Sequence, residues 1–106
     1  GLPLYRDFEL ERQGLIHLAE RAVQLDDFKV LQGKLRSFAE RVQKTYPRGR
    51  GPYPKRHAVW KDLDILVGCT TRLSTEALTP QERRGLLESC RAGTGVLIED
   101  LAEPLP

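Results

Sequence analysis

A chain of 106 residues has room for one hydrophobic core, and its 40% apolar content suffices for a small one. No apolar run approaches the ~20 residues that span a bilayer, two cysteines make no disulfide framework, and neither His17 nor His57 has the ligand spacing to a cysteine that a structural zinc site needs. The net charge of +2 conceals a segregation: the stretch 41–61 holds seven of the 17 basic residues and none of the 15 acidic ones, so the remainder sums to −5.

The first segment is helical by its spacing. Leu4, Phe8, Leu15, Leu18, Ala22 and Leu25 fall on one stripe at three- and four-residue intervals. Glu11 interrupts that stripe, and a lone buried carboxylate is costly, so it is expected at the edge of the core or paired with an arginine. No apolar segment of a secretory signal opens the chain, and methionine is absent. The expectation is a single helical-bundle domain over 1–106, cut from a longer chain or trimmed, with Gly1 readable as a tag remnant. It points to the cytoplasm, although an effector delivered into a host would have the same composition.

Asp26 and Asp27 then offer an N-cap, because a carboxylate accepts bonds from the free N–H groups of a following helix. The second stripe is Phe28, Leu31, Leu35, Phe38 and Val42, continuing to Thr45 or Tyr46. So short a junction predicts an antiparallel hairpin of the first two helices. Pro47 ends the second helix, since it restricts the residue before it and donates no N–H. Residues 47–54 contain three prolines and two glycines and read as a loop.

The third stripe is Val59, Leu63, Leu66, Thr70, Leu73 and Ala77, with Trp60, Ile65, Val67 and Cys69 on other faces. This helix is expected to be the most enclosed. Thr79, Pro80 and Glu82 then sit at N-cap, first helical position and third helical position, the pattern of a capping box with its favoured proline. Leu87, Cys90, Thr94, Leu97 and Leu101 form the fourth stripe, flanked by Leu86 and Ile98 and ended by Pro104. No segment alternates with period two. The fold expected is all-α, an antiparallel up-and-down four-helix bundle with a Pro/Gly-rich basic loop between helices two and three.

The basic loop is the leading functional feature. Arg41, Lys44, Arg48, Arg50, Lys55, Arg56 and Lys61 suit phosphate neutralisation with counterion release, and Tyr53 suits stacking on an unpaired base. Tyr46 and Trp60 are interleaved with the charges, which favours RNA or single-stranded DNA. The same loop also reads as a solvated crossover, or as a docking strip for an acidic protein.

Cys69 lies ten residues before Thr79 and Cys90 eleven after it, about 15–16 Å from the turn on neighbouring helices. The two thiols are expected to meet as small buried hydrophobes. Ala92, Gly93 and Gly95 form a patch of small residues in helix four that would admit another helix, from this bundle or from a second subunit, or else mark a kink or break. No Ser-His-Asp or Cys-His arrangement emerges from the helical phases, so no catalytic residue, metal or cofactor is assigned.

Phe28 to Leu35, and Leu73 to Gln81 followed by a glycine-containing helix, give a resemblance to a known family. They are similar to parts of the small four-helix-bundle proteins that include the ribosomal-RNA intervening-sequence proteins and the accessory variability proteins of diversity-generating retroelements. This chain differs in concentrating its basic residues in a Pro/Gly loop. The resemblance implies a non-catalytic bundle that oligomerises into a ring, with a basic surface for nucleic acid and a protein partner such as a reverse transcriptase. The runner-up is a protein-interaction adaptor using the exposed faces of helices three and four, the basic loop being incidental.

Overall fold

The computed structural model describes residues 3–45 and 58–101, which contain four helices and no strand. They are α1 (Pro3–Arg21), α2 (Leu25–Thr45), α3 (Val59–Thr75) and α4 (Pro80–Asp100). α1 packs on α2 and α4, and α3 packs on α2 and, most extensively, on α4. α2 and α4 touch more lightly across the middle. The all-α, four-helix expectation therefore holds.

The stripes explain this packing. Phe28, Leu31, Leu35, Phe38, Ala39 and Val42 bury one face of α2. Val59, Leu63, Leu66 and Leu73 do the same for α3, and Leu86, Cys90, Leu97 and Ile98 for α4. Each large side chain removed from water contributes about 1.5–3 kcal/mol before chain entropy is counted. Among the described residues of α1 only Leu15 is fully buried, joined by Ala22 just past its end. Leu18, on the expected stripe, remains 39% exposed. The second apolar face of α3 is half-covered, since Trp60, Val67 and Cys69 pack against the core whereas Ile65 is exposed.

Two buried hydroxyls need partners inside this core. Thr70 donates to Gln32 Oε1 of α2 at 2.7 Å, with the Val67 carbonyl also in reach at 3.0 Å. Thr94 donates to the Cys90 carbonyl of its own helix at 2.7 Å.

The two tight junctions differ from their sequence reading in one respect. Thr79 caps α4 as expected: its hydroxyl accepts from Glu82 N at 3.1 Å, and Glu82 Oε1 accepts from Thr79 N at 3.1 Å. At the other junction α2 begins earlier than the acidic pair suggested. Asp27 caps from inside the first turn, Oδ2 accepting from Val23 N and Gln24 N, both at 2.9 Å. The Gln24 carbonyl takes the first helical bonds, so Gln24 holds the cap position and Asp27 reaches back to it. Ala77 falls after α3 has ended and is exposed. α4 runs unbroken through Gly93 and Gly95, so neither a break nor a stop lies there.

Candidate functional site

Three of the expected nucleic-acid contacts fall among the described residues. Arg41 and Lys44 lie in the last two turns of α2, Lys61 lies in the first turn of α3, and all three are exposed. Arg48, Arg50, Tyr53, Lys55 and Arg56 lie outside the described residues. Arg41 forms an ion pair with Glu11 of α1, which accounts for a carboxylate on the stripe of α1: Glu11 is exposed and reaches a neighbouring helix. Part of the charge of Arg41 is thereby spent within the molecule. Trp60 is half-buried against the core, so its ring is partly committed to packing.

Lys61 has a neighbour that the basic strip did not anticipate. Asp62 of α3 contacts Asp100 of α4, and its carboxyl is pushed up to about 7. Burial is the main cause, followed by the hydrogen bond to Asp100 and by that residue's charge, while Lys61 opposes the shift.

The small residues of α4 lie towards its outer surface. Ala92 and Gly95 are exposed and Gly93 is half-buried. A Cβ built on Gly93 or Gly95 would meet nothing within 4 Å, so neither glycine serves close packing inside this bundle. Gly95 lines a groove of about 380 Å³ between α1 and α4. Its apolar lining comes from Ile16, Ala19 and Ile98, and its charged lining from Arg12, Arg91, Glu20 and Glu99. Arg91 also donates to the Ala22 carbonyl at 3.1 Å, tying α4 to the end of α1.

Cys69 and Cys90 meet as their matching heights predict, and both are free thiols. Cys90 is wholly buried. Burial, then the neighbouring Cys69, push its thiol up to about 11, so it carries almost no thiolate at neutral pH. His17 is exposed with Glu20 3.8 Å away, while His57 lies outside the described residues. Among the described residues no group of three or more His, Cys, Asp or Glu side chains could hold a metal ion. No described helix is long and apolar enough to cross a membrane. Comparison with family models, curated proteins and solved structures finds no match.

Proposed function

We propose that this chain is a non-catalytic helical-bundle module that contacts RNA or single-stranded DNA through Arg41–Lys61, as part of a larger assembly in the cytoplasm. The observation that carries the reading is the charge segregation: seven cations and no anion in one stretch, against an acidic remainder. In this reading the four helices run antiparallel and the basic loop joins α2 to α3. The three-residue junction between α1 and α2 supports it for the first pair, and contacts at successive heights, Leu73 with Arg83, Cys69 with Cys90 and Asp62 with Asp100, support it for α3 and α4. Arg41, Lys44 and Lys61 would then share one end of the bundle with the loop. A ring-forming homo-oligomer and a protein partner belong to the same reading, through the family resemblance.

The test is a fluorescence-anisotropy titration with labelled single-stranded RNA and with duplex DNA, at low and at physiological salt. Expected is binding to the single strand that weakens steeply with salt, with a log–log slope of about −0.7 per phosphate contact. Replacing Arg48, Arg50, Lys55 and Arg56 together by Glu is expected to abolish it with unchanged helical circular dichroism. Undiminished binding by that variant, or no binding by the parent chain at low salt, overturns the reading.

A second reading, a protein-interaction adaptor, is favoured by the α1–α4 groove with Gly95 in its lining and the open surface at Ala92 and Gly93. A largely apolar interface there would persist at salt concentrations that dissolve phosphate contacts.

A further inference from the structure

Asp62 lies in the first turn of α3 and Asp100 is the last residue of α4. Their side chains are hydrogen-bond neighbours, so the pair joins the start of one helix to the end of the next. Asp62 Oδ2 is buried from solvent, and among the described residues no N–H or O–H group donates to it. Two ionised carboxylates have no hydrogen to place between them, and their like charges repel. A proton held between the two carboxyls answers both the orphaned oxygen and the repulsion. We infer that Asp62 and Asp100 share a proton, and that this proton fastens α3 to α4 and makes their join sensitive to pH.

Among the described residues, Lys61 is the one charged group besides Asp100 that is seen to act on Asp62. Lys61, on the same helix, favours the ionised form, but less strongly than burial and Asp100 oppose it. On the neighbouring helices, Arg12 of α1 pairs with Glu9 and Arg41 of α2 pairs with Glu11. Glu99, beside Asp100, lines the α1–α4 groove. The position in each helix adds to the effect, because the C-terminal end of α4 is an unfavourable place for a second negative charge.

The direction of the pH effect follows from linkage. The folded form holds the proton on Asp62 up to about pH 7, whereas the unfolded chain releases it near the ordinary aspartate value of about 4. Between those limits the folded state binds more protons, so the contribution of the pair is complete at the acidic end and is lost as pH rises through neutrality. Loss of the proton converts a hydrogen bond into a repulsion between the two helix ends.

The experiment compares thermal unfolding of the parent chain and of Asp62→Asn from pH 5 to pH 8. An asparagine amide donates to Asp100 without needing a bound proton, so the hydrogen bond is retained and the titration removed. Expected is a Tm difference, parent minus variant, that falls by on the order of 5 °C between about pH 5 and pH 7 and levels off above. Asp100→Asn is expected to flatten the profile in the same way. Parallel Tm profiles for parent and variants overturn the inference. Carbon-13 NMR of the aspartate carboxyls in the parent chain supplies a readout independent of how the variants fold. One carboxyl titrating near neutrality sustains the inference, and all of them titrating in the ordinary carboxylate range overturns it.

Discussion

The α3–α4 pair and the α1–α2 pair each join two helices through a junction of three or four residues, yet they are held by different means. α3 and α4 meet along their length, with Leu66, Cys90 and Leu97 completely buried and the Asp62–Asp100, Cys69–Cys90 and Leu73–Arg83 contacts spaced along the seam. α2 is equally well buried, but among its described residues α1 commits only Leu15 fully. Among the described residues α1 is also held by the partial burial of Phe8, Ile16 and Ala19, by the Phe8–Phe38 edge-to-face contact at 5.9 Å, by the Glu11–Arg41 ion pair and by the Arg91 bond to Ala22. Exposed ion pairs contribute little, about 0–1 kcal/mol each. Among the described side chains, α1 buries the fewest apolar groups completely.

The largest test of this contrast is a pair of cavity-forming substitutions. Leu66→Ala is expected to cost about 4–5 kcal/mol and Leu15→Ala about 2–3 kcal/mol, read from urea unfolding midpoints at constant slope. Equal costs would mean that α1 is as integral as α3. Next come the caps. Thr79→Ala is expected to cost ~1 kcal/mol by freeing the N–H of Glu82. Both junctions also weaken in acid. Glu82 is held below the ordinary carboxylate range, chiefly by the Thr79 backbone N–H, and Asp27 chiefly by that of Gln24. A lowered pKa gives stability that is present above the ordinary value and lost as pH falls through the lowered one, the opposite sense to Asp62. Glu82→Gln can still accept from the Thr79 N–H but does not titrate, so it should reduce the loss of Tm below about pH 4, and an unchanged acid limb would remove the charge of Glu82 from the cap's energetics. The smallest effect is a gain. Gly93→Ala has open space for its methyl group and is expected to stabilise α4 by about 0.5–1 kcal/mol. A loss instead would show that α4 needs a glycine there for packing absent from the isolated chain.

Much of this architecture is visible in the amino-acid order. The stripes of α2, α3 and α4 name most of their buried residues, and the Thr79–Glu82 cap is complete in four letters because all its partners are local. Counting along the helices brought Cys69 and Cys90 to one height. The misplaced cap at Asp27 has a local cause, since a carboxylate at the third helical position reaches back to the N–H groups of the cap residue and of the one before it, whereas one at the cap would bond those of the first turn. Leu18 shows that a stripe gives the direction of a helix face but not how far the neighbouring helix covers it. The Asp62–Asp100 pair was missed because an aspartate on an amphipathic helix reads as a solvated surface group. Only the packing of α3 on α4 turns two such groups toward each other. The basic strip stands out in the sequence for the opposite reason, being a matter of composition rather than of packing.

The hydroxyl of Thr70 carries a further consequence. Leucine and phenylalanine side chains accept many slightly different partners, so an apolar seam alone would let α2 slide against α3 by a turn at modest cost. Thr70 donates to Gln32 across the seam, and a one-turn slip would break that bond and leave the buried hydroxyl only the Val67 carbonyl of its own helix. The bond adds little net stability, but it makes the neighbouring alignments costly, and so selects one register of α2 on α3.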